Sequence, residues 1–90
     1  MLSRNWRGAG GEIDLVVCKG KRLRFVEVKT RSAGDPVGVE AVGPRKQAHL
    51  IRAARAWLSQ HDPDVDEMAF MVALVEETAI SWYDDAFDVE

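Results

Sequence analysis

The sequence is poor in the features that mark secreted, membrane and zinc-binding proteins. Its single cysteine, Cys18, excludes an internal disulfide and a cysteine-based zinc site, and its apolar surroundings are typical of a small buried hydrophobe. No apolar run approaches the roughly 18 residues that span a bilayer, and the first residues lack the apolar core of a signal peptide. The composition therefore predicts one small cytoplasmic domain over residues 1–90, without a membrane partner.

Positive charge is missing from the last third of the chain. Residues 1–61 hold all 12 Lys and Arg but five of the 15 acids, whereas residues 62–90 hold the other ten acids and no Lys or Arg. The formal net charge of -3 argues against a general polyanion binder, yet the basic two-thirds could present a local phosphate-binding face. Solvated surface charge is the alternative explanation.

The residues that are present predict strands around one helix. Alternating and β-branched residues predict strands at residues 12–18 and 23–30, joined by a short hairpin turn at the segment KGKR. Pro44 and apolar residues at helical spacing predict a helix that runs to about residue 60. An apolar run at residues 68–75 and a short alternating run at residues 79–83 predict two more strands.

Two glycine-containing segments flank these elements. Residues 4–11 permit either irregular backbone or a short strand that leads into a tight turn. Residues 31–43 hold four Gly and Pro residues without clean periodicity, which predicts a loop of the kind that closes over a ligand. The resulting order, β-β-α-β-β, predicts an α/β fold in which a helix packs on a mixed sheet.

Three charged residues interrupt the apolar strands of the predicted hairpin: Asp14, Glu27 and Lys29. If Gly20 and Lys21 form a two-residue turn, Asp14 lies opposite Glu27, with Cβ atoms about 4.5 to 5.5 Å apart. Two carboxylates this close repel each other, so one pKa rises unless a cation neutralises them. The face opposite the charges is the predicted core surface, and it consists of Ile13, Leu15, Val17, Val26 and Val28.

Two kinds of cation fit this pair of carboxylates. Lys29 would neutralise them as a plain ion pair. A divalent ion would also do so, because Mg2+ binds one or two protein carboxylates and completes its shell with water and substrate phosphate. Lys29 would then orient the attacking water or stabilise charge on the phosphate. Geometry alone leaves both interpretations open.

Nearly the whole chain resembles a known family. The resemblance rests on GEIDL at residues 11–15, FVEVKTRS at residues 25–32 and PRKQ at the start of the helix, and these strings are similar to those of the uncharacterised bacterial YraN-like family. That family is placed in the PD-(D/E)xK nuclease superfamily, which has a restriction-endonuclease-like fold. The resemblance implies an endonuclease that hydrolyses phosphodiester bonds with Mg2+ or Mn2+ or, more broadly, a nucleic-acid-binding protein with DNA as the favoured partner.

The resemblance also implies roles for individual residues. Asp14 and Glu27 would ligate the metal together with the backbone carbonyl of Val28, and Lys29 would be the motif lysine. Gln47 matches a family position at the start of the helix, where an amide interrupts the apolar face; capping of backbone groups at the sheet edge is its other explanation. The implied catalytic group is Asp14, Glu27, Lys29 and Gln47.

Other residues are candidates for additional contacts to a metal ion or to nucleic acid. Glu12 would bind a second metal or, as we favour, hydrogen-bond the preceding glycine turn. Arg31, Arg45 and Lys46 are candidate phosphate contacts, and solvated loop and helix charge is their other explanation. Trp6 and Trp57 could stack on bases if they were exposed, but the surrounding pattern favours packing in the core for both. His49 is expected on the polar surface of the helix.

Two departures from the family pattern bear on activity. Family members begin with a helix that this chain lacks, so we expect a truncated domain whose uncovered sheet face favours a homo-oligomer. Relatives also tend to carry an Asp at the position of Met71. The alternative function is therefore a catalytically silent nucleic-acid-binding or assembly module of the same fold, and a protein-interaction domain that uses the acidic tail is a third.

Overall fold

Strands and one helix make up the part of the chain that the structure describes. The computed structural model describes residues 2–30, 43–76 and 79–84. The predicted loop lies outside this part except for Gly43, as does the acidic tail from residue 85 onward. The strands are β1 (Ser3–Gly8), β2 (Gly11–Lys19), β3 (Arg22–Thr30), β4 (Glu67–Val75) and β5 (Ile80–Tyr83), and the helix between β3 and β4 is α1 (Pro44–His61).

The described strands form one mixed sheet in the order β1-β2-β3-β4-β5. β1, β2 and β3 pair antiparallel, β3 and β4 run parallel, and β5 returns antiparallel to β4. Parallel pairing needs a crossover connection, which contains α1. The predicted class, a mixed sheet with a helix packed on it, is confirmed and is compatible with a restriction-endonuclease-like fold. The structure has one strand more than the predicted order: β1, which forms where the sequence permits either a short strand or irregular backbone.

The β2–β3 hairpin has the predicted register. Gly20 takes a left-handed φ of 62°, which a residue without a Cβ adopts readily. The two-residue turn aligns Lys19 with Arg22 and Leu15 with Val26. These are the pairs that a turn at Gly20 and its neighbour requires. The regular pairing ends at Leu15 and Val26, so the predicted pair of Asp14 with Glu27 lies just beyond it.

The core lies between α1 and one face of the sheet. Phe25 on β3 meets Trp57 of the helix edge to face, with ring centroids 5.8 Å apart, and Phe70 of β4 at 5.4 Å. Burial of apolar side chains of this size stabilises the fold by about 1.5 to 3 kcal/mol each. The same cluster contains Ile13, Val16, Leu23, Leu50, Ala53, Ala54 and Val72.

The sheet face predicted to form the core is the one that α1 leaves uncovered. α1 packs on the opposite face because the larger apolar side chains, Leu23, Phe25 and Phe70, lie there. Ile13 joins this helix-side core together with Val16, three residues on, so the alternation of side chains along β2 is interrupted between them. Of the rest of the predicted core set, Val26 is buried and three residues are only half-buried: Leu15, Val17 and Val28.

α1 is an amphipathic helix with well-defined ends. Pro44 occupies its first turn, where a missing N–H is tolerated. At the other end, Asp62 takes a left-handed conformation with φ 42°, and its N–H donates to the carbonyl of Leu58. Within the three described ranges, no helix has the length and apolar character needed to cross a bilayer.

A close approach between α1 and β2 depends on Gly11. A Cβ at this position would lie 2.5 Å from the carbonyl oxygen of His49 and 3.1 Å from the Cβ of Ala53. The carbonyl belongs to the helix backbone and cannot rotate away. Gly11 therefore sets the distance at which the helix packs beside the start of β2.

Gly11→Ala should lower the free energy of unfolding by about 1 to 3 kcal/mol, because the helix must shift to admit the methyl group. Urea unfolding followed by circular dichroism measures the change. Gly43→Ser is the control, since a Cβ there meets no atom within 4 Å, its φ of -74° suits any residue, and serine is favoured at the N-cap position that Gly43 holds. Equal losses of stability in both variants would contradict the packing explanation.

Candidate functional site

Asp14 lies where the regular pairing of β2 with β3 ends. The register runs from the hairpin turn to Leu15 and Val26, and beyond it the Oδ2 of Asp14 accepts a hydrogen bond of 2.8 Å from the backbone N–H of Val28. On the other side of β2, the pairing with β1 passes over Asn5, which has a left-handed φ of 50°. The carboxylate of Asp14 is therefore held by the backbone of β3.

Glu27 is a buried carboxylate. It has 6% of its surface exposed, because it follows Phe25 on the strand face that α1 covers. Burial raises the pKa of Glu27, and the negative charge of Asp14 raises it further, while Lys46 and Lys29 act in the opposite direction. The net rise means that desolvation and repulsion between the carboxylates outweigh the two cations.

Two ammonium groups approach the same oxygen of Glu27. The Nζ of Lys46, from the first turn of α1, lies 3.4 Å from Glu27 Oε1, and the Nζ of Lys29, two residues along β3, lies 3.8 Å from it. The lysine side chains are 43% and 30% exposed, respectively. Both cations thus reach from solvent to a buried carboxylate, and the helix lysine is the closer one.

The backbone of β3 directs a carbonyl group to the same place. In an extended strand the N–H and C=O of one residue point to the same side. Since the N–H of Val28 reaches Asp14, the carbonyl of Val28 is directed toward β2 as well. The two carboxylates and this carbonyl therefore lie around the same end of the β2–β3 pair.

The other predicted catalytic and phosphate-binding residues are less tightly grouped. Gln47 is half-buried in the first turn of α1, directly after Lys46. Arg45 is exposed at the start of the helix. Arg31 lies outside the described residues. Of the three candidate phosphate contacts, the structure thus brings Lys46 to Glu27.

A groove that the sequence does not predict lies beside these residues. It has a volume of about 580 Å³ and runs between the glycine turn joining β1 to β2 and the first half of α1. Glu12 faces the groove, and its carboxylate accepts a charge-assisted hydrogen bond of 2.7 Å from the Nε–H of Arg7. This bond takes the place of the expected bond to the glycine turn. His49, expected at the surface, is half-buried in the groove wall.

The structure also places three more residues considered in the sequence analysis: Trp57, Trp6 and Met71. Trp57 is 1% exposed, and its indole N–H donates to the hydroxyl of Ser3 at 2.9 Å. Trp6 packs partly buried against the core, so core packing is confirmed for both tryptophans. Met71 is paired with Val26, on the sheet face away from α1, so a side chain at that position points away from Glu27.

The groups around Glu27 offer oxygen atoms, which hard divalent cations prefer. In the part of the chain that the structure describes, no three His, Cys, Asp or Glu side chains are grouped so that they could hold a metal. Two carboxylates and a carbonyl nevertheless suit Mg2+, because this ion binds one or two protein carboxylates and keeps several waters. Burial is the main cause of the raised pKa of Glu27, and the charge of Asp14 adds to it, so a bound divalent cation would stabilise the ionised carboxylate.

The fold and the site define a class of protein: a small α/β domain whose mixed sheet carries paired carboxylates and lysines at one end of a β-hairpin. Residues 1–89 match the model of the uncharacterised protein family UPF0102. The chain belongs to this family, which confirms the YraN-like resemblance of its motifs.

Several similar proteins carry the same family name. Two UPF0102 proteins of Synechococcus sp. (strain JA-3-3Ab) are 54% identical over 81 residues and 53% identical over 83 residues, covering 86% and 88% of this chain but 61% and 62% of their own lengths. A UPF0102 protein of Methylorubrum extorquens (strain PA1) is 50% identical over 60 residues, 67% of this chain and 46% of that protein. The chain thus spans less than two thirds of the length of these relatives.

The raised pKa of Glu27 predicts a pH-dependent stability in the absence of divalent metal. The folded protein holds the Glu27 proton more tightly than the unfolded chain does. Glu27 therefore contributes its full stabilisation of the folded state at pH values below 4.5, the ordinary pKa of glutamate. This contribution is lost as pH rises from that value through the raised pKa. Glu27→Gln should remove the loss, and the variant should gain stability relative to the wild type as pH increases through this window.

Urea unfolding of both proteins between about pH 4 and pH 8, in EDTA, measures this difference. Asp64→Asn is the control for the change in net charge, because that side chain is 90% exposed. A stability difference between Glu27→Gln and wild type that is constant over the whole range would show that Glu27 has its ordinary affinity for protons.

Proposed function

We propose that this protein is a metal-dependent endonuclease of the PD-(D/E)xK superfamily, which hydrolyses phosphodiester bonds in nucleic acid. The observation that carries the proposal is the buried carboxylate of Glu27 beside Asp14, which the N–H of Val28 holds at 2.8 Å, with the ammonium of Lys29 at 3.8 Å. These residue types occupy the positions that the motif resemblance implies. The helix-backed mixed sheet, compatible with a restriction-endonuclease-like fold, supports the same function.

Mg2+ or Mn2+ would be held by the carboxylates of Asp14 and Glu27 and by the carbonyl of Val28. When bound, the ion would polarise a phosphoryl oxygen and lower the pKa of a bound water. The electrostatics support this assignment, because Glu27 is buried next to a second carboxylate and has a raised pKa. A protein that only needed a stable core would gain from an apolar residue at this position.

Lys29 would act on the substrate. Its side chain is 30% exposed and its ammonium lies beside Glu27, so it is accessible to a phosphodiester that approaches the carboxylates. There it would stabilise negative charge that develops on the phosphate, or orient the attacking water. Gln47, half-buried in the first turn of α1, would hydrogen-bond the water or the phosphate through its side-chain amide.

The proposed partner is nucleic acid, with DNA favoured, in the cytoplasm. The sheet face that α1 does not cover supports the accompanying expectation of a homo-oligomer. Trp82 and Ile80 on β5 are 57% and 54% exposed, and exposed apolar surface of this kind often marks an interface.

A catalytically silent nucleic-acid-binding or assembly module is the second candidate. One observation favours it: the ammonium groups of Lys46 and Lys29 lie 3.4 and 3.8 Å from Glu27, so this carboxylate has cationic partners without a metal. In such a module, Asp14 would serve only as the acceptor for the N–H of Val28. The charged cluster would then be a structural feature of the hairpin.

Calorimetric titration with Mn2+ tests the metal site without a choice of substrate. The wild type should bind about one equivalent, while Asp14→Asn and Glu27→Gln should lose this binding because each removes a charged ligand. Asparagine retains an oxygen that can accept from the Val28 N–H, so the fold should persist. Absence of site-specific Mn2+ binding in the wild type, with duplex and branched DNA also present, would refute the metal site and leave the silent module.

Lys29→Ala separates catalysis from metal binding. Cleavage of a panel of single-stranded, duplex and branched nucleic acids should fall at least about 100-fold, because a charge that stabilises the transition state is lost. Mn2+ binding should persist. Lys19→Ala, an exposed lysine at the hairpin tip, is the matched control and should cleave as the wild type does. Unchanged cleavage by Lys29→Ala would rule out the proposed role of this lysine.

A further inference from the structure

The groove beside Glu27 is not used by the proposed metal site. One wall is the backbone of the glycine turn between β1 and β2, and the other is formed by side chains of α1. The groove is closed where strand and helix meet, since a Cβ on Gly11 would lie 2.5 Å from the carbonyl of His49. Its lining includes Arg7, Gly10, Gly11, Glu12, Lys46 and His49.

Lys46 connects the groove to the candidate site. It lines the groove, and its ammonium lies 3.4 Å from the Oε1 of Glu27. A ligand in the groove and a group bound at the carboxylates would therefore share one cation. An extended anion with charges at regular intervals would occupy both places at once, which a compact anion would not.

The basic side chain of Arg7 is accessible, unlike that of Arg24 near the opposite end of the sheet. Arg24 is 12% exposed, and its guanidinium is taken up by ion pairs with Glu67 and Asp84. Arg7 is 81% exposed, and its contact with Glu12 engages the Nε, one of five N–H donors that a guanidinium carries. The groove thus presents a cation that can bind a further anion.

We propose that the groove binds the sugar–phosphate strand that adjoins the bond hydrolysed at the candidate site. The inference rests on the proposed function and names the part of the substrate that is recognised: one nucleic-acid strand, contacted through its phosphates. Arg7 binds a phosphate by charge-assisted hydrogen bonds, His49 donates from its ring, and Lys46 contacts the phosphate next to the cleaved one. Around Gly10, where a Cβ would meet no atom within 4 Å, the strand has room to pass.

Backbone contacts of this kind position a strand without reading its bases. Binding in the groove should therefore depend on salt and hardly on sequence. Lys46 is shared with Glu27, so the attraction for phosphate comes mainly from the exposed guanidinium of Arg7, on a chain whose net charge is -3.

Fluorescence anisotropy in EDTA measures strand binding without hydrolysis. The probe is a labelled single strand of about 16 nucleotides, titrated at several KCl concentrations with wild type, Arg7→Gln and Arg55→Gln. Arg7→Gln should weaken binding about 3- to 10-fold and reduce the slope of log K against log salt by about 0.7, the value for one phosphate contact on a single strand. Arg7→Lys, which keeps the charge, should restore most of the slope.

Arg55→Gln is the matched control, because Arg55 is exposed on α1 and is not among the residues that line the groove. It should leave both affinity and slope unchanged. All variants should unfold at the same urea concentration as the wild type, and Arg7→Gln should bind Mn2+ normally. Equal effects of Arg7→Gln and Arg55→Gln would overturn the groove assignment and leave the metal site in place. Wild-type protein that binds no strand at any salt concentration, yet binds Mn2+ and cleaves the panel, would overturn the groove alone. Failure to bind single-stranded, duplex and branched nucleic acids alike would overturn the nucleic-acid function as well.

Discussion

The hydrogen bond from the Val28 N–H to the Asp14 carboxylate takes the place of a backbone-to-backbone bond between β2 and β3. An N–H inside a sheet needs an acceptor, and a carboxylate that supplies it lets the two strands depart from regular pairing without leaving a donor unsatisfied. The same bond fixes an acidic side chain beside Glu27, which is buried on the face that α1 covers. The candidate site is thus a direct consequence of how this hairpin ends its pairing.

α1 performs three tasks at once. Trp57 covers Phe25 and closes the core, Lys46 brings a cation to Glu27, and the first half of the helix forms a wall of the groove. All three depend on how closely the helix approaches β2, and that distance is set by the missing side chain of Gly11. Packing and site chemistry are therefore coupled through one contact.

The charges at the two ends of the sheet have different consequences. At the hairpin tip, Arg24 is matched by Glu67 and Asp84, so the charges neutralise one another near the surface. Around Glu27, two lysines do not fully offset burial and the neighbouring carboxylate, and the pKa stays raised. Perturbed pKa values of this kind are common at functional sites, and the proposed metal-dependent hydrolysis would make use of this one.

The sequence by itself determined the helix, four of the five described strands, the hairpin register next to the turn and the family. These follow from local periodicity, from a two-residue turn at Gly20 and from contiguous strings of residues, whereas β1 was left open between a strand and irregular backbone. It could not determine which sheet face α1 covers, since apolar residues lie on both faces and the choice depends on the fit of side chains from distant segments. For the same reason the approach of Lys46 to Glu27 and the groove beside Gly11 were decided by tertiary structure. These features require contacts between a turn, a strand and a helix that are far apart along the chain.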